Sequence, residues 1–367
     1  MRLSERLPDF PWNTIAEART RAAEHPRGLV DLSVGTPVDP TPEFVQFAAR
    51  AATDSPGYPQ VWGTPGLRES IIGYLVRRWN SPQLNERRVL PVIGTKELVA
   101  FLPTLLGIGP GDTVVIPRTA YPTYRVGAEL VGARVVTSDD PAELGGLSPS
   151  LIWINSPANP HGATLDRRQV RRWIDFARTQ NSLLAADECY GEFGWDAEPV
   201  SVLDRSVSEG ETAGVLAVHS LSKRSNMAGY RAGFVAGDIN VVTELIAVRK
   251  HLGMMVPAPV QAAMIAALDD QQHVDDQRER YLSRRSVLSA ALQAAGYRID
   301  ASEGSLYLWA TRGDPCRRTL ADLAELGILA APGDFYGDGT HVRIALTATD
   351  ERIASAAERL RAGASRS

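Results

Sequence analysis

Between residues 67 and 237 the chain alternates short apolar runs with longer amphipathic stretches, and this alternation restricts the fold more than any other feature. The apolar runs cover residues 113–116, 134–137, 151–155, 182–186, 215–219 and 233–236. Runs this short, rich in Val, Ile and Leu and bounded by turn residues, read as strands buried on both faces. Parallel neighbours need long crossovers, which the intervening helical stretches supply. The expected fold is therefore α/β, a large domain with a mainly parallel sheet covered by helices. One helix is expected over 67–79. Another is expected over 166–178, where Val170, Trp173, Ile174 and Ala177 recur at helical spacing behind Asp166 as N-cap.

The flanks differ in texture. Residues 1–50 are rich in proline and turn signals and read as an arm, while 51–260 form the large domain. Helices follow over 261–295, and 296–367 has the pattern of a small α+β domain. With 44% hydrophobic residues and a net charge of −4, the chain has ample core material and no field that would attract nucleic acid. Arg167, Arg168, Arg171 and Arg172 accordingly read as a solvated helix face. Cys189 and Cys316 fit no disulfide or metal pattern, so no metal is expected and a reducing compartment is. The first twenty residues lack the apolar core of a signal peptide, and no apolar run reaches the length of a membrane span. A cytoplasmic protein acting on small molecules, with no membrane partner, is expected.

Open α/β sheets bind ligands beyond the carboxyl ends of their strands, so the residues that follow each run matter most. After 151–154 comes Asn155-Ser-Pro-Ala-Asn-Pro-His-Gly162, and after 182–186 comes Asp187-Glu-Cys-Tyr190. After 215–219 comes Ser220-Leu-Ser-Lys223, with Arg231 eight residues later. A carboxylate at the end of a buried strand is costly unless a cation pairs with it, and a structural salt bridge would be the plain explanation of Asp187 alone. Taken jointly, these residues offer what pyridoxal phosphate requires. Lys223 is an amine to carry it, Asp187 an acid to keep its ring nitrogen protonated, and the others supply donors for its phenolic oxygen and phosphate.

The chain resembles the fold-type I enzymes of the class I and II aminotransferase family over nearly its whole length. The resemblance rests on an ordered series: Gly35, Tyr58, Gly66-Leu-Arg-Glu69, Gly94-Thr95-Lys96, Tyr121-Pro122, Asn159-Pro160, Asp187 with Tyr190, Ser220-x-Ser222-Lys223, Arg231 and Arg343. It implies that Lys223 carries pyridoxal phosphate as a Schiff base and then moves the proton between the substrate Cα and the cofactor C4′. Asp187 would pair with the ring nitrogen, Asn159 and Tyr190 with the phenolic oxygen, and Tyr121 would stack on the ring. Gly94, Thr95, Lys96, Ser220, Ser222 and Arg231 would surround the phosphate, helped by the helix N-terminus that opens at Gly94. The resemblance further implies that the arm joins the small domain and that Tyr58 reaches the phosphate of a neighbouring subunit in a homodimer. Gly35, Asn159 and Arg343 would bind substrate, Arg343 by clamping the α-carboxylate. Lys96 departs from the family's usual small or neutral residue; it either adds charge near the phosphate or points toward substrate.

The segments Pro91-Val-Ile-Gly-Thr-Lys-Glu-Leu98, Ser220-Leu-Ser-Lys-Arg224, Arg249-Lys-His-Leu-Gly-Met-Met-Val-Pro-Ala-Pro259 and Leu329-Ala-Ala-Pro-Gly-Asp-Phe-Tyr-Gly337 carry a narrower resemblance. They are similar to the actinobacterial type of N-succinyldiaminopimelate aminotransferase, which implies exchange between glutamate and N-succinyl-2-amino-6-oxopimelate in lysine and diaminopimelate synthesis. Lys96, Arg118, Arg125, Arg224, Lys250 and His251 are then candidate partners for the distal carboxylates. Other readings remain open: a broad-specificity aminotransferase, a β-lyase sharing the same cofactor ligands, and a ligand-sensing domain of a regulator. The short arm ahead of Gly35 argues against the last.

Overall fold

The computed structural model describes residues 7–364, so the part of the N-terminal reading that falls on residues 1–6 lies outside it. In chain order the first strands are β1 (Val30–Asp31), β2 (Val89–Val92), β3 (Thr113–Ile116), β4 (Arg134–Thr137), β5 (Leu151–Asn155), β6 (Leu183–Asp187), β7 (Val215–Ser220) and β8 (Gly233–Gly237). They are followed by β9 (Arg298–Asp300), β10 (Tyr307–Thr311), β11 (Ile328–Leu329), β12 (Ala331–Pro332) and β13 (Val342–Ala345).

Strands β2 to β8 form a seven-stranded sheet in the order β2-β8-β7-β6-β5-β3-β4. The pairs β3/β4, β3/β5, β5/β6 and β6/β7 are parallel, as the alternating pattern requires, and only β8 runs against its neighbours β7 and β2. In β5, Ile152 and Ile154 enter one core layer with Ile71, Leu75, Trp173 and Phe234, whereas Leu151 and Trp153 enter the other with Leu98, Leu102 and Leu245. Burial on both faces is why these strands read as unbroken apolar runs. The helix Arg167–Gln180 starts with a capping box between Asp166 and Gln169 and buries Val170, Trp173, Ile174 and Ala177 as expected. Its outer arginines Arg167, Arg171 and Arg172 pair with Asp204, Glu209 and Asp140 on the surface.

A second, four-stranded antiparallel sheet has the order β12-β13-β10-β9 and packs beside the helices Gln272–Ala294 and Asp350–Ala364. Its core holds Leu288, Leu306, Leu308, Ile344 and Leu360 together with Ile15, Val30 and Leu32 from the first fifty residues. Strand β1 pairs in parallel with β11, which ties that early segment to the late part of the chain. Among the described residues no helix is long and apolar enough to cross a membrane.

Candidate active site

Five parallel strands of the large sheet end on one side, and the residues that end or follow β3, β5, β6 and β7 line a cavity of about 680 Å³. Asn155 closes β5 beside Asp187, which closes β6, because the two strands are paired in register there. The sequence pattern places Asp187 just beyond its strand; it is in fact the last strand residue, held by backbone pairing and not by a mobile loop. The Asn155 side chain donates to the Asp187 carbonyl at 2.8 Å and accepts from the Asn159 amide at 2.7 Å, fixing the loop that carries Asn159.

Asp187 is buried, and no Lys, Arg or His pairs with it among the described residues. Its carboxylate instead accepts from the Tyr124 hydroxyl at 2.7 Å and from the Cys189 amide at 3.1 Å. Burial pushes its carboxyl above the usual range, against the downward pull of Cys189 and Tyr124. Lys223 stands one helical turn after β7, with Nζ donating to the carbonyl of Gly35. Burial pushes its amine down to about 8, with the charges of Arg343 and Arg231 acting in the same direction against the Cys189 thiol. An amine at that value is partly neutral near pH 8, which a nucleophile or proton acceptor requires.

At the other end of the cavity Gly94 caps the helix Thr95–Leu105 with φ +88°, a left-handed conformation open to glycine. A side chain there would run into the Arg231 guanidinium, so glycine lets Arg231 lie against the helix start. Thr95, Ser220, Ser222 and Arg231 face the same space, a donor set suited to an anion. Tyr121 lines the wall, edge-on to Tyr124, which itself stacks on Trp153 at 5.1 Å.

Arg343, in β13, is the cation that the second sheet contributes. Its guanidinium donates to the Asn159 side-chain oxygen at 2.7 Å and to the Ser33 carbonyl at 2.6 Å, and lies 4.1 Å from the Tyr307 ring centre. Its Nε is buried without a partner among the described residues. Tyr190 shares a 2.7 Å hydrogen bond with the Tyr307 hydroxyl. Gly35 packs so closely on Tyr307 that a Cβ would come within 2.7 Å of its ring.

The structure thus gathers Gly35, Thr95, Lys96, Tyr121, Asn159, Asp187, Tyr190, Ser220, Ser222, Lys223, Arg231 and Arg343 around one cavity, with Gly94 beneath Arg231. Tyr58 is 96% exposed and lies outside it. Of the candidate distal cations, Lys96 lines this cavity, and Arg118 and Arg125 line an adjoining one of about 750 Å³. Three others are corrected: Arg224 is buried and paired with Glu192 at 3.3 Å, while Lys250 and His251 are exposed in the last turn of the helix Ile239–Leu252. Tyr124, Tyr307, Trp12 and Phe10 also face the cavity, although no local pattern marks them. Cys189 does too, with its thiol pushed well up by burial, which makes it a packing group.

Pyridoxal phosphate fits these residues: an unpaired buried carboxylate meets a cationic ring nitrogen, a depressed lysine amine meets an aldehyde, and the donor set at Gly94 meets a phosphate. The comparison with known proteins agrees. The sequence pattern of "Aminotransferase class I and II" matches residues 27–360. A probable aminotransferase of Mycobacterium tuberculosis is 59% identical over 98% of this chain and 86% of its own. The 4-dedimethylamino-4-oxo-anhydrotetracycline transaminase OxyQ of Streptomyces rimosus is 54% identical over 96% and 99%, and an LL-diaminopimelate aminotransferase of Aquifex aeolicus is 31% identical over 97% and 96%. Among solved structures, an aminotransferase from Neisseria meningitidis superposes with a TM-score of 0.88, at 30% identity and 99% coverage of both chains. The chain belongs to the class I and II aminotransferases, a family that works with pyridoxal phosphate.

Proposed function

We propose that this aminotransferase exchanges an amino group between glutamate and N-succinyl-2-amino-6-oxopimelate in the cytoplasm, in two successive half-reactions. The observation that carries this reading is the second cavity. It shares Phe10, Trp12, Lys96 and Tyr121 with the first and is bordered further out by Arg118, Arg125 and Arg317. Those arginines have acidic partners in Glu143, Glu129 and Asp334, whereas Lys96 has none among the described residues. Lys96 also lies in the first turn of its helix, where the helix dipole disfavours a cation. An ammonium in that position, open to both cavities, suits a substrate with a second carboxylate.

In this reading Lys223 holds the cofactor, Asp187 pairs with its ring nitrogen, and Asn159 and Tyr190 donate to its phenolic oxygen. Gly94, Thr95, Ser220, Ser222 and Arg231 hold its phosphate, and Tyr121 covers its ring. Bound pyridoxal phosphate supplies an electron sink for the pair left when the substrate Cα loses its proton. The Lys223 amine, released when substrate displaces it, takes that proton. Arg343 holds the α-carboxylate through the unpartnered side of its guanidinium, and the aromatic rings of Tyr307 and Tyr336 keep water from it. Tyr58, exposed in one subunit, reaches the phosphate of the other in a homodimer.

The identity with OxyQ supports a second reading, in which a polycyclic ketone accepts the amino group against the aromatic wall of Phe10, Trp12 and Phe335. Parallel assays decide between them: N-succinyl-LL-diaminopimelate with 2-oxoglutarate, common amino acids with 2-oxoglutarate, and 4-dedimethylamino-4-oxo-anhydrotetracycline with glutamate. The expected result is a kcat/KM for the succinylated substrate far above all others. Equal or better turnover of aspartate, aromatic amino acids or the tetracycline ketone would refute the proposal. Glutamate alone should convert the bound cofactor to its amino form, whereas release of pyruvate and ammonia from a cysteine-type substrate would mark a lyase.

A further inference from the structure

A cavity of about 930 Å³ lies outside the active site, between the early segment 27–38 and the start of the helix Asp350–Ala364. Four arginines line it, Arg19, Arg27, Arg352 and Arg359, against two carboxylates, Asp31 and Glu351. Arg19 and Asp31 neutralise each other across 2.7 Å. Among the described residues the other three guanidinium groups have a single contacting carboxylate, that of Glu358, which Arg27 takes at 2.7 Å. Arg352 donates to the Leu29 carbonyl.

Arg359 is the unusual member. It is 5% exposed and has no carboxylate partner among the described residues. Among the described residues its guanidinium donates only to backbone carbonyls, those of Arg27, Gly28, Leu326 and Gly327, and its buried Nε has no partner. Burying an arginine without a counter-ion is costly. Burial, together with the charges of Arg27 and Arg352, pulls it below the usual arginine range, against the smaller opposing pull of the Glu358 carboxylate, which does not contact it. Ser355 and Thr349 add hydroxyl groups to the same wall.

We infer that this cavity is a second ligand site, built for a small molecule carrying two or more negative charges. The anion lies among Arg27, Arg352 and Arg359, supplies the missing counter-charge, and takes charge-assisted hydrogen bonds from the exposed faces of Arg27 and Arg352. The cavity is far larger than a phosphate group, so a phosphorylated or polycarboxylate metabolite has room. Its floor is shared with the active site: Val34 and Thr36 line both cavities, and Gly35 between them accepts the Lys223 hydrogen bond. A ligand here therefore presses on the opposite face of a segment that touches the catalytic lysine.

The test is calorimetric titration of the holoenzyme with inorganic phosphate and, separately, with citrate, at constant ionic strength. The comparison protein is Arg27→Gln/Arg352→Gln, which keeps Arg359 and its carbonyl contacts. The wild type should bind at least one of the two probes saturably at a site that weakens about tenfold or more in the variant. Binding through the active site persists in both proteins and is subtracted by the comparison. If the double variant does not fold, Arg352→Gln alone serves, with a several-fold loss expected. Identical isotherms in wild type and variant, or no saturable binding of either probe, would overturn the assignment.

Discussion

A lysine amine attacks an aldehyde only when neutral, and an unperturbed lysine is charged throughout the physiological range. Burial brings Lys223 to about 8. Cofactor uptake by the cofactor-free protein, followed by visible absorbance, should therefore speed up as pH rises through about 8 and then level off. A rate still climbing beyond pH 10 would mean the amine is not depressed. The same sign governs stability: below pH 8 the folded state must bury a charged amine, so this group's destabilising contribution fades as pH rises from about 8 toward the unfolded value. Lys223→Ala should abolish the absorbance of the bound cofactor and all transamination. Tyr124 acts on the neighbouring charge. Its hydroxyl donates to Asp187 alongside Cys189, so Tyr124→Phe takes a hydrogen bond from a buried carboxylate at a cost of about 1–3 kcal/mol and raises its pKa further. Cofactor affinity, measured by equilibrium titration, should fall at least several-fold, and an unchanged affinity would show that Asp187 does not face the ring nitrogen. Asp187, Lys223 and Arg343 are readable in the sequence because each is a charged residue in or just after a short apolar run, where it stands out. Tyr124 is not, because its contact with Asp187 depends on two elements 63 residues apart meeting across the sheet.

Elements are most legible where both faces are buried. Strands β3, β4 and β5 fall where the apolar runs lie, while β6 extends one residue further because Asp187, though polar, keeps its backbone pairing. Strand β2 has no counterpart among those runs. Its sequence Val-Leu-Pro-Val contains Pro91, which argues against a central strand; β2 is an edge strand bonded only to β8, where a missing amide is tolerated. Arg224 misleads for the opposite reason. It follows Lys223 directly, but the short helical turn sends it away from the cavity to Glu192 and the Tyr74 ring. The helix Arg167–Gln180 offers a control on the structural role of an element remote from the site. Asp166→Ala removes the side-chain half of its capping box, the acceptor for the Gln169 amide, and should cost about 1 kcal/mol in thermal or chemical unfolding with kcat unchanged. A loss of activity without loss of stability would give that helix a function that its surface ion pairs do not explain.

At the scale of the whole molecule, the exposed aromatic side chains of the stretch 43–62 require an explanation that one chain does not provide. Phe47 is 67% exposed, Trp62 42% and Tyr58 nearly fully so. A second copy of the chain would cover them, and a shared site gives a decisive assay. Tyr58→Ala and Lys223→Ala proteins, unfolded and refolded together, should form hybrid dimers with one intact site. Activity should approach about a quarter of wild type, above the mean of the two parents. No gain on mixing would mean that Tyr58 serves no neighbouring site. The pairing of β1 with β11 has a different consequence, one that concerns synthesis. Val30 must wait for Ile328, about 300 positions later, before it has a partner. By the time Gly237 leaves the ribosome, Asp187, Lys223 and Arg231 have all been made, whereas Arg343 has not. Translation thus completes the lysine and carboxylate side of the pocket first, and Arg343, the arginine proposed to hold the substrate α-carboxylate, is the last of these groups to be added.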